Sequence, residues 1–550
     1  MPPPGDEGSG AMIALPSLAF ALHALWPAPP RPPHGCLRSP RGPAPTAGWT
    51  RYAARGAAAP GLARCRMAEP DLPIAPLLPE LVAVLDERPN VVLQAPPGAG
   101  KTTAAPLALL RDSAWLRDAD GVLLVLEPRR VAARGAATRM AAMLGEQVGQ
   151  TVGYRVRQES RVSSRTKIVV VTEGILLRQL QNDPLLQGIA GVCFDEFHER
   201  SSDGDLCLTL CLEAQRQALP ELRLLVMSAT LGDGLVEQLA SLLDATTLVS
   251  EGRGFPVSIT HDGRLPLAAV AAMRPRELAA TVAPAVLKVL SSRPSGDVLV
   301  FLPGEGEIRQ TTAALSSQMG GRLASEVEVT PLYAALPLDQ QTRAVLPHAG
   351  GKRRVVLATS IAESSLTLPG VTAVVDSGLR RISCYEPATG MSGLKTVAIS
   401  AASAAQRTGR AGRVAPGICV RLWSEREALA PHTPPQILLD DLAGFALTLA
   451  AWGAPCPDTV GRLPWLTPPP PHALSEAHQL LQGLGAIKGD PSFRASSHAA
   501  QGHDGQGGGS SGGGAERAHL TAHGRALVAL PVHPRSWRVL ACARCALCAP

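Results

Sequence analysis

The 550-residue chain is poor in aromatic residues, 3% of its composition, against 53 glycines and 50 prolines. This scarcity reads as compositional bias and carries no functional signal. Long apolar runs are missing too. Ala11–Trp26 is too short, and too broken by Pro16, to span a bilayer, which takes about 20 residues. No later stretch is long and apolar enough, so a soluble protein without membrane partners is expected. The 11 cysteines are scattered. Cys193, Cys207, Cys211, Cys384 and Cys419 lie in apolar contexts and are expected as small core residues. Only Cys542, Cys545 and Cys548 cluster. Their helical spacing offers no tight tetrahedral set, so reduced thiols are expected rather than a zinc or iron–sulfur site.

Acid is absent between Glu7 and Glu69. Seven arginines in residues 1–66 give +7, and Asp6 and Glu7 give −2, so this arm holds +5 of the formal net charge of +6. The remainder is nearly neutral, and nucleic-acid binding would need a local basic lining. Arg-rich, acid-poor and without folding periodicity, the arm reads as a transit peptide, for the chloroplast before the mitochondrion. Met67 is an alternative start that would leave the protein cytoplasmic.

The chemistry gathers at Val91–Thr103, VVLQAPPGAGKTT. An apolar strand breaks into a Pro/Gly turn and closes on a helix start. Gly98 and Gly100 let backbone N–H groups converge on phosphate oxygens, and the helix N-terminus adds positive dipole. Lys101 supplies a point charge for the terminal phosphates, and Thr102 a hydroxyl for Mg²⁺. Thr103 completes the set. The pattern is G-x-x-x-x-G-K-[ST], with Ala95 in place of the first glycine. It predicts a bound nucleoside triphosphate and leaves its use open.

Gly121–Glu127, Lys167–Val171, Gly191–Phe194 and Leu222–Met227 read as buried strands, with helices at Val131–Leu144 and Thr172–Gln181 between them. Continuous apolar strands alternating with helices predict a parallel sheet covered on both faces. Chemistry in such sheets lies at the carboxyl ends of strands. Asp195 and Glu196 stand at one such end. Asp195 suits Mg²⁺, held through water, and Glu196 suits orienting and deprotonating an attacking water. Ser228 and Thr230, one strand later, suit a hydrogen-bond link from nucleotide to the rest of the molecule.

Asp297–Leu302, Arg354–Ala358 and Val371–Asp376 form a second strand series without a P-loop. It carries Gln406–Arg413, QRTGRAGR, instead. Three arginines spaced by three on one helical face repel each other. Facing a triphosphate on the first unit, Arg410 and Arg413 are expected as arginine fingers and Gln406 as a water-positioning group. Two halves of one cleft imply closure with ATP and opening after hydrolysis.

The ordered set APPGAGKT, EPRRVAAR, VTEGIL, DEFH, SAT, FLPG, ATSIAESSLT and QRTGRAGR resembles the motifs of DEAH-box helicases. DEFHERS, FLPGEGEI, PLYAAL and PGICVRLW are most similar to the HrpB-type branch. The resemblance runs from about Pro73 to Arg535. It implies an α/β fold of two tandem RecA-like P-loop domains, with Mg-ATP between them and single-stranded nucleic acid, RNA before DNA, across both. His198 would link the Mg²⁺ site to the second domain. Arg129, Arg130, Thr172, Gly174 and Thr359 would hold the nucleic-acid backbone, a sequence-tolerant and salt-sensitive mode. Arg380–Val397 would form a strand-parting β-hairpin, turning at Pro387, Thr389 and Gly390. Ser360 and Pro369 replace the usual Asn and acid. Leu379 stands where many relatives place a base-stacking aromatic, leaving Arg139 to stack from the other side.

The expected organisation is the 1–66 arm, domains at 67–250 and 251–430, and a winged-helix-like region at 431–550. In that region Asp440–Trp452 and Ser475–Leu484 read as amphipathic helices. Arg494–Ala515, with His498 and His503, reads as a Gly/Ser/His-rich flexible insert. Relatives continue past this chain's end, so the last region is expected to be shortened. The resulting expectation is a monomeric ATP-dependent RNA helicase, or alternatively an RNA-stimulated ATPase clamp that does not unwind.

Overall fold

The computed structural model describes residues 72–117, 121–229, 234–252, 254–263, 265–293, 295–346, 351–364, 366, 368–488, 518–530 and 533–536. The basic arm, Thr230, the 494–515 insert and the C-terminal cysteine cluster lie outside them.

The first unit is a sheet of eight strands: β1 Asn90–Gln94, β2 Val122–Glu127, β3 Val152–Val156, β4 Glu159–Arg161, β5 Ile168–Thr172, β6 Ile189–Phe194, β7 Arg223–Ser228 and β8 Thr246–Val249. Their order is β4-β3-β5-β2-β6-β7-β1-β8, and every pair but β3–β4 is parallel. Successive residues point to opposite faces, as strand geometry requires. Val91 and Leu93 enter one buried cluster and Val92 the other. Helices Lys101–Asp112 and Arg130–Met143 cover the first face, and Glu173–Asn182 and Ser202–Gln217 the second.

The second unit has six parallel strands: β9 Val257–His261, β10 Asp297–Phe301, β11 Val327–Leu332, β12 Arg353–Ala358, β13 Val371–Asp376 and β16 Gly417–Arg421. They are ordered β11-β12-β10-β13-β16-β9. Between β13 and β16 runs the antiparallel hairpin β14 Leu379–Glu386 and β15 Met391–Ala398, closed by Pro387–Gly390 with Gly390 at φ 65°. Leu379 is buried at 1% exposure among Val375, Ile399 and Trp423, so it presents no face to a base, and one expectation fails here. Cys384 lies on the hairpin, half-buried, while Cys193, Cys207, Cys211 and Cys419 are buried as expected.

Helices Ala443–Trp452, Pro471–Gly483 and Ala522–Val528 and the short pair β17 Ile487–Lys488 and β18 His519–Leu520 follow. The first helix starts after Leu442 and is buried or half-buried all round, so the amphipathic helix expected from Asp440 is corrected to an internal one. The second starts at Pro471, because proline at the first helical position lacks an N–H that would have had no intrahelical partner there. Phe445, Leu481 and Leu527 share one buried cluster with Val92, Leu126 and Leu180 of the first unit. Ser202 Oγ donates to Asp440 Oδ2 (2.6 Å) and Arg200 Nη2 to Thr467 Oγ1 (2.8 Å) across this junction. Arg535 ties the hairpin to the same region. Its Nη2 donates to Tyr385 Oη (2.7 Å), its Nε to Asp441 Oδ2 (2.8 Å), and its guanidinium lies 5.3 Å from the Tyr385 ring centre.

Candidate nucleotide and nucleic-acid site

The P-loop is built by two glycines that no other residue replaces without strain. Gly98 has φ 86° and Gly100 φ 98°, and a Cβ on Gly100 would sit 2.8 Å from Leu72 Cδ1. Ala95 at the first glycine position is fully buried, and its N–H donates to Ser228 O (3.0 Å), so a methyl group fits there. Lys101 begins the following helix and is buried.

Lys101 Nζ lies 3.1 Å from Glu196 Oε1 and 3.8 Å from Asp195 Oδ1. Thr102 Oγ1 donates to Asp195 Oδ2 in a short bond, and the Glu196 N–H donates to Asp195 Oδ1 (2.7 Å). Burial alone would raise the Glu196 carboxyl. Lys101, His198 and Arg410 outweigh it and hold the pKa down to about 2. Burial would lower the Lys101 ammonium, but Glu196 and Asp195 hold it above its ordinary value. Glu196 sits at φ 51°, a left-handed conformation that is costly for a residue with a Cβ and is typical of functional turns.

His198 joins two elements. Its Nε2 lies 3.5 Å from Glu196 Oε2, and its Nδ1 accepts from the Ala229 N–H (3.4 Å). Ser228 ends β7 fully buried, and its Oγ has no hydrogen-bond partner among the described residues. Thr103 is half-buried one turn behind Gly100 O, to which its N–H donates (3.1 Å).

The helix Ala401–Gly409 ends before Arg410, so the three arginines do not share one helical face as the spacing suggested. Arg407 points into the second unit. It is fully buried, with Nε 3.0 Å from Glu363 Oε2 and Nη1 2.8 Å from Asp376 Oδ1, and it stacks 4.7 Å from the Phe301 ring centre. Arg410 Nε donates to Glu363 O (3.1 Å) and Nη1 to Leu366 O, while Nη2 has no partner among the described residues. Arg413 lies over the P-loop, its Nε 3.8 Å from where a Gly98 Cβ would be. Its Nε also lacks a hydrogen-bond partner among the described residues. Burial pushes the Arg413 guanidinium down to about 10, with only Glu196 opposing. Arg410 is lowered further by burial and by Arg413. A buried and a half-buried cation thus stand short of anions, which is costly unless a negative ligand arrives.

Gln406 and His198 line a cavity of about 230 Å³ where both units and the C-terminal region meet. Arg129 lines it as well, already engaged. Its Nη1 and Nη2 donate to Glu199 Oε1 and Oε2, both at 2.8 Å. Arg130 and Gly174 are exposed, and Thr172 and Thr359 are half-buried at the starts of Glu173–Asn182 and Ser360–Ala362. Pro369 offers its carbonyl to Arg354 Nη2 (3.0 Å).

Two residues at this site escape the sequence motifs' usual roles. Glu127 ends β2 at 1% exposure, with neither carboxylate oxygen hydrogen-bonded among the described residues. Burial first, then Asp195 and Glu196, push its carboxyl well above the usual range. The strand-end rule that selects Asp195 selects Glu127 equally. Glu199 carried no signal, since its partners are 70 and 165 residues away. Among the described residues, no group of three or more His, Cys, Asp or Glu could hold a metal ion alone. Thr102 and Asp195 nevertheless offer paired hard oxygen donors beside the phosphate loop. That donor set fits Mg²⁺, which keeps several waters and binds few protein ligands.

The DEAD/DEAH box helicase profile matches residues 79–238, and the helicase conserved C-terminal domain matches residues 282–415. The chain is 43% identical over 421 residues to the ATP-dependent RNA helicase HrpB of Escherichia coli K12, covering 76% of this chain and 49% of that protein. It is 34% identical over 410 residues to a probable ATP-dependent RNA helicase DHX35 homolog of Caenorhabditis elegans, covering 72% and 54%. The crystal structure of Escherichia coli HrpB superposes with TM-score 0.70 at 41% identity, covering 84% of this chain and 53% of that one. The chain thus spans about half the length of the HrpB protein it matches. With both helicase domains in order and the parallel-sheet architecture in common, this chain belongs to the DEAD/DEAH box helicases, in their HrpB-type branch.

Proposed function

We propose that the protein is an ATP-dependent RNA helicase that couples hydrolysis in the interdomain cleft to movement on RNA. The observation that carries the reading is the imbalance of charge across the cleft. Arg410 is buried and Arg413 half-buried, each with an unpartnered N–H group among the described residues, and they stand opposite a P-loop whose lysine is occupied by Glu196. A triphosphate seated on Gly98–Thr102 supplies the missing anion and draws Lys101 to its terminal phosphates. That releases Glu196, already ionised, to accept a proton from the attacking water. Arg410 and Arg413 stabilise the charge that develops on the transferring phosphoryl group, and Gln406 orients the water. Thr102 and Asp195 would hold Mg²⁺, which supplies charge neutralisation at the phosphates when bound. His198, bonded to the β7 turn at Ala229, carries the state of the site towards Ser228 and the second unit. Arg129, Arg130, Thr172, Gly174 and Thr359 contact the RNA backbone.

Lys101→Ala and Glu196→Gln abolish RNA-stimulated phosphate release while circular dichroism stays that of the folded chain. Full turnover in either variant refutes the assignment. A strand-displacement assay run in parallel separates unwinding from an ATPase that only clamps RNA. The acid-poor arm supports import into chloroplasts, and a fluorescent fusion of residues 1–66 tests that address.

A further inference from the structure

Glu199 lies one residue past His198 and belongs to none of the roles above. Its carboxylate is the centre of a three-way contact between the two α/β units. Arg129 of the first unit donates from both terminal nitrogens to its two oxygens, at 2.8 Å each. Ser364 of the second unit donates its hydroxyl to Glu199 Oε1 in a short bond and accepts from Arg129 Nη1 at 2.6 Å. The Arg129 and Glu199 side chains keep 22% and 23% of their surface exposed, so a ligand reaches them. Both line the 230 Å³ cavity, which Ser360, Ser400, Thr433 and Arg380 also face. Among the described residues Arg380 donates to Thr433 Oγ1 (3.2 Å) alone, and its Nε has no partner.

The planar fork of a guanidinium binds a carboxylate and a phosphate in the same two-pronged way. Glu199 therefore occupies Arg129 as a backbone phosphate would. We propose that Glu199 is a coupling residue. It holds Arg129 and Ser364 together in the RNA-free state, and an RNA phosphate that takes Arg129 from it unties the second unit from the first. The inference rests on the helicase reading above and names how RNA is sensed within it. The exchange conserves charge, an internal anion leaving Arg129 as an external one arrives. It makes RNA binding and release of the two units one event, thermodynamically linked in both directions. Glu199 acts through Arg129 and Ser364 and does not touch the reacting phosphate.

The test compares Glu199→Gln, Ser364→Ala and Arg129→Ala in the full chain, with ATPase rate measured against a single-stranded oligoribonucleotide at several salt concentrations. Glu199→Gln removes the competing anion and keeps the shape. The RNA concentration for half-maximal stimulation is expected to fall about tenfold, as loss of a charge-assisted competitor implies, and RNA-free turnover to rise. Ser364→Ala unties the units but leaves Arg129 occupied, so RNA-free turnover rises while half-saturation stays. Arg129→Ala weakens RNA binding and shallows the salt dependence. Wild-type chain that RNA does not stimulate at all overturns the helicase reading itself. Wild-type chain that is stimulated, with Glu199→Gln unchanged or weakened in half-saturation, overturns the coupling role alone.

Discussion

Arg407 and Arg413 stand six residues apart in one motif and are predicted to fail in opposite ways. Arg407 is fully buried, ion-paired to Glu363 and Asp376 at 3.0 and 2.8 Å and bonded to Leu379 O at 3.2 Å. Arg407→Ala leaves two buried carboxylates facing each other without a cation. Breaking one such buried pair costs about 3–5 kcal/mol. Partial protonation of the stranded acids offsets some of the second loss, so about 4 kcal/mol is expected. At roughly 2–4 °C per kcal/mol for a domain of this size, the second unit melts about 8–16 °C earlier. Arg413 has no acid within ion-pair distance among the described residues, and burial disfavours its charge. Arg413→Ala therefore leaves stability within about 1 kcal/mol of wild type, while turnover falls by at least ~10³, the usual weight of an arginine finger. Thermal unfolding by circular dichroism and a coupled phosphate-release assay read both quantities. An Arg407→Ala shift under about 3 °C, or an Arg413→Ala variant that melts early yet hydrolyses ATP normally, refutes the assignment.

Glu173 provides a pH signature. Burial raises its carboxyl to about 7 although it accepts from Ser201 Oγ at 2.6 Å. The native state thus holds a proton that the unfolded chain gives up near 4.5, and stability falls as pH rises between those values. Glu173→Gln removes that loss. By denaturant titration it is about 2 kcal/mol more stable than wild type at pH 8, with the gap closing towards pH 5; a gap that does not change with pH contradicts this. Arg535→Ala frees Tyr385 and Asp441, and amide exchange in Leu379–Ala398 accelerates about tenfold by mass spectrometry. Unaltered exchange there means the latch does not hold the hairpin.

The P-loop was legible because everything it needs is local. Two glycines at positive φ, a lysine and a threonine lie within five residues, and a strand and a helix flank them. The central strands were legible because both their faces are buried and their apolar runs are unbroken. Edge strands such as Val257–His261 were not, since no position is buried and Ser258, Ile259 and Thr260 are exposed, which erases the apolar run. The arginine motif misled for a physical reason. A spacing of three suggests one face, but the helix stops at Gly409, and the direction of Arg407 is decided by Glu363 and Asp376, 44 and 31 residues away. Leu379 is buried for the same kind of reason, by Trp423 and its neighbours from distant strands. The union of the C-terminal helices with the first unit was invisible too, because an amphipathic face announces that it will be covered and not by what.

That union divides the molecule as a motor is divided. The first α/β unit and the C-terminal helices share a continuous core from Val92 to Leu527 and so form one packed body. The second unit meets it at the Gly252 segment beside Pro96, at the Arg129–Glu199–Ser364 contact, and where Val131 and Ala132 pack with Leu299 and Phe301. Its hairpin reaches back to that body at Arg535. On the helicase reading proposed above, a unit attached at separate places is constrained to pivot between those attachments.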